Sequence, residues 1–418
     1  MIDQIFKCKE AIRCHLKAHF LEERIKYLQD LADNGAALNT LQNIARLLLV
    51  AVNSLGFYQP RIVTLKEIEN AANNLRKPLY YSRRQFNWSQ AKRKYLVRHA
   101  SKWLKMLGYL KESNEEVTPF TKYLFQYIEY MRKERCFSEA TIKHRLFLLK
   151  DFCINIEEEC KSLKRLTPVM VDHILIKKHN INGWSRRTIQ SYASIVRVFI
   201  RYVEGGNWCK GGLAESIKVA RVYKHETLPF APSWDNVKKL LDTTKDKNPT
   251  NIRDRAILML LIVYGLRSSE VAQLRLSDVD WKNEILYIHR AKNSKPQQFP
   301  LSKIVGEAIL HYLIKVRQKK CSCREVFLCN NAPYRPLNSP ALHRMVSQRW
   351  KLLNISIKHY GPHSLRHACA SHLINEGISL KEISTHLGHQ WLTTTQIYTK
   401  VDLTNLRKIA DFNIGDLL

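Results

Sequence analysis

Five separated stretches in the second half of the chain hold residue types suited to moving a phosphoryl group onto a tyrosine. The first, Tyr264-Gly265-Leu266-Arg267-Ser268-Ser269-Glu270, sets Arg267 just past a glycine that stops an apolar helix. A guanidinium there can leave the core, grip two phosphate oxygens at once, and stay charged at any relevant pH. Glu270, one helical turn on, is placed to orient it. The second is Lys292, at the tip of an expected hairpin, where an ammonium can hand a proton to a leaving oxygen. The third, His363-Ser364-Leu365-Arg366-His367, follows Gly361-Pro362. Leu365, Ala368, Cys369 and Leu373 form an apolar helical stripe closed by Gly377, which puts His363 at the helix start and Arg366 in its first turn, the end that attracts anions. His367 falls outside that pair and is expected to pack beside it. The fourth is Leu387-Gly388-His389: Ser379 and Glu382 make a capping box for the helix that Gly388 ends, so His389 sits on a fixed turn and can donate to a phosphate oxygen. In the fifth, Thr393-Thr394-Thr395-Gln396-Ile397-Tyr398, the threonines cap a short helix that presents Tyr398. A tyrosine hydroxyl titrates near about 10, so as a nucleophile it needs positive charge nearby, which the two arginines would supply.

Each of these residues alone has a plainer reading, as a surface arginine, a solvated turn lysine or a packed tyrosine. Together they require a scaffold that converges on one point. The pattern predicts a largely apolar helix over 252–264 ending at Gly265, strands over Ile285–His289 and Gln297–Leu301 joined by the turn that carries Lys292, and helices from 340 onward.

The motif Gly-Leu-Arg-Ser-Ser-Glu, a hairpin lysine 25 residues after Arg267, His-Ser-Leu-Arg-His, Leu-Gly-His, and a tyrosine nine residues after His389 together resemble the tyrosine recombinase (phage integrase) family, over about 230–405 in order and spacing. The resemblance implies a multidomain, mainly α fold: a helical, SAM-like core-binding domain and a mixed α/β catalytic domain with a small antiparallel β-sheet. On that plan residues 1–117 are a helical N-terminal extension, 118–210 the core-binding domain, 211–231 a linker, and 232–418 the catalytic domain with its tail. By the same resemblance Arg267 and Arg366 bind the scissile phosphate, and Lys292 protonates the 5′-hydroxyl leaving group. His363 and His389 assist by proton transfer and hydrogen bonding, and Tyr398 forms a 3′-phosphotyrosyl link. That link keeps the bond energy, so neither a nucleotide cofactor nor a metal is required. The implied enzyme is a site-specific recombinase that integrates, excises or transposes a mobile element. Its partner is double-stranded DNA bearing specific recombination sites, and it assembles as a dimer on one site and a tetramer in synapsis. Two features depart from the pattern. Gln298 stands in the hairpin where many relatives carry a basic residue, and residues 1–117 exceed the minimal two-domain plan, serving either to bind arm-type DNA or to contact a neighbouring protomer.

The whole chain supports a polyanionic partner. Its 418 residues carry a net charge of +31, of which residues 1–117 hold +9, 118–228 hold +9 and 229–418 hold +13. Charge spread so evenly suits a protein lying along a long polyanion. Amphipathic helices are expected over 40–56, capped by Thr40, and over 89–107, where Lys94, Arg98, Lys102 and Lys105 oppose Leu96, Ala100, Trp103 and Leu107. A further helix from Ser138 and another over 186–203 follow; the latter turns Ile189, Val196, Ile200 and Val203 inward and Arg186, Gln190, Arg197 and Arg201 outward. These basic residues are candidate DNA contacts. Ten scattered cysteines include Cys321, Cys323 and Cys329, which lack a companion pair at zinc-like spacing, so reduced thiols and no metal site are expected. No apolar run reaches membrane-spanning length, and a cytoplasmic, nucleoid-associated bacterial protein is expected. Beyond Tyr398, Leu403, Leu406, Ile409, Phe412, Ile414, Leu417 and Leu418 make an apolar tail expected to pack on an adjacent protomer or on its own domain. Two other functions fit part of the pattern: a type IB topoisomerase relaxing DNA by similar chemistry, and a DNA-binding regulator that has kept the fold without cutting.

Overall fold

The computed structural model describes residues 1–75, 88–111, 120–218, 231–290, 296–318, 321–332 and 334–388. Contacts divide the chain into two compact units, one of Met1–Arg61, Ile68–Gly108 and Thr227–Leu418, the other of Ile62–Glu67 and Tyr109–Glu226.

The first unit opens with α1 (Ile2–Ile5), α2 (Lys9–Lys17), α3 (Leu21–Asp33) and α4 (Leu38–Ser54), and continues with most of α5 (Leu65–Asn73) and with α6 (Gln90–Met106); β1 (Val63–Thr64) falls in the second unit. Helix α4 packs on α3 and α6 through Leu41, Ile44, Ala45 and Leu48, all buried. It begins two residues before Thr40, at an Ala37 cap with no side-chain bond, so Thr40 lies inside the helix rather than capping it. Gly56 stops it as expected, with φ +57°. Arg24 is the buried cation of this bundle. Its guanidinium donates to the carbonyls of His15 (2.8 Å), Ala18 (3.0 Å) and His19 (3.1 Å), joining the end of α2 to α3. In α6, Ser89 caps the first turn, Leu96, Ala100 and Trp103 are buried, and Lys94, Arg98, Lys102 and Lys105 are exposed.

The second unit pairs β1 in parallel with β2 (Leu110–Lys111), then gathers α7 (Thr121–Lys133), α8 (Glu139–Glu159), α9 (Pro168–Asn180), α10 (Arg186–Gly205) and α11 (Leu213–Ser216). Ser138, Thr167 and Ser185 each cap a helix by accepting an N–H two or three residues into it, and Pro168 supplies the N1 position of α9. Val196, Ile200 and Val203 of α10 are buried as the spacing predicts, with Ile189 half-buried. The start of the expected linker belongs to this core: Leu213, Ala214 and Ile217 are buried against it, because the glycines of 205–212 turn the chain back instead of releasing it. Residues 219–230 of that linker lie outside the described residues.

The remainder of the first unit is built from α12 (Trp234–Asp242), α13 (Pro249–Val263), α14 (Ser268–Gln273), β3 (Val279–Asp280), β4 (Ile285–Ile288), β5 (Gln297–Pro300), α15 (Lys303–Lys315), α16 (Ser339–Leu352), α17 (Pro362–Asn375) and α18 (Leu380–Leu387). Helix α13 is buried all round from Ala256 to Leu261 and packs on α15 and α17, each Leu or Ile there contributing roughly 1.5–3 kcal/mol. The antiparallel sheet runs β3-β4-β5, with Leu286 opposite Phe299 and both facing the core. Tyr264, at the end of α13, donates its hydroxyl to Pro300 O at 2.8 Å and accepts the Ser302 N–H at 2.9 Å, which fixes the sheet to the helix that precedes Arg267.

Candidate active site

Gly265 and Gly388 give the site its shape. Gly265 takes φ +58°, and a Cβ there would lie 2.7 Å from Leu387 Cδ2, so the end of α13 and the end of α18 meet closely only with glycine between them. Gly388 takes φ +61°, and a Cβ would collide with the guanidinium of Arg290. The capping box of Ser379 and Glu382 starts α18 as the sequence predicts, and Gly388 ends it in the left-handed conformation.

Arg267 caps α14 and is half-buried. Glu270 holds it twice, accepting the Arg267 backbone N–H on Oε2 at 2.8 Å and its Nη1 on Oε1 at 2.8 Å. The carboxylate is therefore the orienting group expected for this arginine. Arg366 departs from expectation. Because Pro362 begins α17, Arg366 is its fifth residue rather than part of its first turn, and its side chain is buried. Its Nη1 donates to Gly265 O and its Nη2 to Leu387 O, both at 2.6 Å. The guanidinium thus forms the floor of the site, held by two carbonyls that converge at the glycine contact. His363 is exposed near the start of α17 and stacks on His367 with ring centroids 5.8 Å apart. Desolvation, with Arg366 and Arg267 close by, lowers the His363 pKa below the ordinary histidine value. Burial, His363 and Arg366 bring His367 down to about 4, so it stays neutral at pH 7.

Arg267, His363 and Arg366 line one cleft of about 640 Å³. His343, Lys351, Lys358 and His359 line it too, all exposed and none singled out by the sequence motifs. His343 and Lys351 share a face of α16, whose Leu342, Met345, Val346 and Trp350 are buried. Arg290 was missed as well. It is buried just past β4, and Glu270 is the carboxylate among its partners. Around that one carboxylate stand the guanidiniums of Arg267 and Arg290, with Arg366 sharing the Leu387 carbonyl with Arg290. The cluster carries excess positive charge in a partly dry site, which attracts an oxyanion. Lys292, His389 and Tyr398 lie outside the described residues, as does the tail. Among the candidate DNA contacts of the second unit, Arg186 is exposed, Arg201 pairs with Glu215 at 3.0 Å, and Arg197 is half-buried and donates to Ile217 O.

Known proteins are similar to this chain in sequence and in fold. Residues 233–404 match the phage integrase family. A putative integrase/recombinase, y4rA, of Sinorhizobium fredii is 32% identical over 286 residues, covering 68% of this chain and 69% of the relative. A tyrosine recombinase, XerC, of Thermodesulfovibrio yellowstonii is 32% identical over 266 residues, covering 61% of this chain and 86% of the relative. Among solved structures, XerH site-specific recombinase bound to a palindromic difH substrate, a post-cleavage complex, aligns with TM-score 0.55 at 18% identity over 88% of this chain and 96% of that one. The Tn1549 transposon integrase in complex with a circular intermediate DNA aligns with TM-score 0.54 at 18% identity over 68% of this chain and 99% of that one. The mainly helical architecture with one small antiparallel sheet is the fold these structures share. A helix arrangement of that kind and a sequence match of that extent leave one assignment: the chain belongs to the phage integrase family of tyrosine recombinases, enzymes that cut and rejoin DNA strands.

Proposed function

We propose that this recombinase exchanges strands at specific double-stranded sites of a mobile element, with Arg267, Lys292, His363, Arg366, His389 and Tyr398 as its catalytic set. The observation that carries the reading is the single cleft lined by Arg267 and, from a helix far along the chain, His363 and Arg366, because it gathers two guanidiniums and an imidazole at one place. Arg267, oriented by Glu270, holds non-bridging oxygens, while Arg366 and Arg290 supply positive potential from beneath. The Tyr398 oxygen attacks phosphorus and loses its proton. The bond to the 5′ oxygen breaks, and Lys292 gives that oxygen a proton. His389 hydrogen-bonds the phosphate, and His363 takes or returns protons at the tyrosine oxygen. A 5′-hydroxyl of a second strand then attacks the phosphotyrosine and releases Tyr398. Lys351, Lys358, His343 and His359 bind neighbouring phosphates along the same strand. In the N-terminal helices Lys94, Arg98, Lys102 and Lys105 follow a backbone, and Arg186 and Arg201 do so in the second unit. The Arg201–Glu215 pair is exposed and weak, so a phosphate can replace it. Two protomers occupy one site and four form the synapse, with the apolar tail packed on the next protomer; removing 407–418 is then expected to abolish exchange between sites while single-site cleavage persists.

A nicked duplex that loses the 3′ side of its cleaved strand traps the covalent adduct. The intact protein is expected to accumulate it and Tyr398→Phe to form none; an adduct in the Phe protein would move the nucleophile elsewhere.

A further inference from the structure

Resting on the reading that Arg267 and His389 serve one phosphate, we propose that Arg290 is a positioning residue for this reaction, locking the hairpin, the Arg267 turn and the end of α18 into one geometry. Arg290 lies two residues past the end of β4 and two before Lys292, and its side chain is only 4% exposed. Its Nη1 donates to Glu270 Oε1 at 3.1 Å and to Leu387 O at 2.6 Å. Its Nη2 reaches His386 O at 3.3 Å, and its Nε donates to Gln297 Oε1 at 2.8 Å. Gln297 in turn donates to Thr385 O at 2.8 Å, so the end of α18 is tied to the hairpin from both strands.

Each of these acceptors leads to a group of the site. Glu270 Oε1 is the same oxygen that receives Arg267 Nη1, so whatever holds the carboxylate also holds the arginine at the cleft. Leu387 O is the same oxygen that receives Arg366 Nη2. Gly388 follows it, its left-handed turn pressed against the Arg290 guanidinium, and His389 is the next residue. Burying a guanidinium beside two others is unfavourable unless its donors are used, and here they bond to three separate elements. Only a planar fork with donors on three nitrogens can face those acceptors together, because the ammonium of a lysine is one point. Reacting groups held to well under an ångström are what such a lock contributes to rate.

The test uses the full chain, with adduct formation timed in single turnover on the nicked duplex. Affinity for the same DNA is measured in the Tyr398→Phe background, and folding is checked by thermal unfolding. Arg290→Gln is expected to slow adduct formation by about a hundredfold while affinity stays within a few fold. Arg290→Lys keeps the charge and is expected to recover only part of the rate. A duplex with sulfur in place of the 5′ bridging oxygen needs no proton on its leaving group. It should restore Lys292→Ala but not Arg290→Gln, whose defect lies at Arg267 and the α18 turn. Adding Glu270→Gln to Arg290→Gln should slow the reaction little further, since both act on one path. Near-wild-type cleavage by Arg290→Gln, recovery on the sulfur duplex, or an equal loss of affinity would overturn the proposal. Should Arg290→Gln not fold, Arg290→Lys is judged by the same criteria. A wild-type protein that forms no adduct would instead sink the catalytic reading, whereas one that reacts no faster than Arg290→Gln sinks only this inference.

Discussion

Two arginines with the same expected task sit in different surroundings. Arg267 keeps 37% of its side chain exposed, while Arg366 is 2% exposed and fixed by Gly265 O and Leu387 O. Arg267 is therefore the one that can follow a phosphate as its geometry changes, and Arg267→Ala is expected to lower single-turnover cleavage by roughly 10²–10³, the range for removing one oxyanion donor. Binding should change little, since most affinity comes from other phosphate contacts, and a titration of labelled DNA checks it. Equal loss of cleavage and binding would show that Arg267 holds the duplex and not the reaction. At this scale the placement of Arg267 beside Glu270 was legible, because Arg267 follows the glycine that ends α13 and stands at the start of α14. Arg290 was not legible. An arginine at the end of a strand reads as ordinary surface charge, and its burial depends on Glu270 and on Leu387, which lie 20 and 97 residues away in the chain.

Elements show the same division. The capping box at Ser379 and the helix start at Ser138 rest on local hydrogen bonds, and they form where the sequence places them; the cap at Ser185 is of the same local kind. Thr40 fails as a cap because Leu38 and Asn39 already continue α4 backward. Strand β3, two residues long, is too short for an alternating pattern to reveal, and only its pairing of Val279 with Leu286 defines it. Gly388 is the element boundary with the strictest demand. Gly388→Ala adds a left-handed strain of about 1–2 kcal/mol and pushes on Arg290. The expected outcome is a lower unfolding midpoint together with slower cleavage; unchanged cleavage would mean that the turn adjusts without disturbing the site. The N-terminal helices carry a separate signature. His15 and His99 are buried, and desolvation, reinforced by Arg24 and Arg46 at His15 and by Arg98 and Lys102 at His99, brings both pKa values down to about 4. The unfolded chain binds protons on these histidines from about pH 6.5 downward and the folded chain does not. Stability should therefore fall as pH drops from about 6.5 to about 4, by up to about 3 kcal/mol for each histidine, and level off below. His99→Gln, which can keep a bond to the Tyr27 hydroxyl, should flatten that dependence; an unchanged slope in thermal unfolding against pH would contradict the assignment.

For the molecule as a whole, the question is how much of the charge of +31 meets DNA. Part of it is already answered within the fold. Arg132 pairs with Glu129 and Glu139, Lys177 with Glu158, Lys178 with Asp151, and Arg349 with the buried Asp254. The remaining cations are distributed, and the exposed row Lys94, Arg98, Lys102 and Lys105 on α6 is a clear stripe on one helix. Each phosphate neutralised releases condensed counterions, so the logarithm of the affinity falls with the logarithm of salt by about 0.9 per contact. If that stripe follows a backbone, replacing its four residues with glutamine should reduce the slope by up to about four and weaken binding almost equally for cognate and unrelated duplexes. The opposite result is equally informative. A slope that does not move, combined with a loss of exchange between sites, would assign residues 1–117 to contacts between protomers. The polyanion would then be held by the second unit and the catalytic scaffold alone.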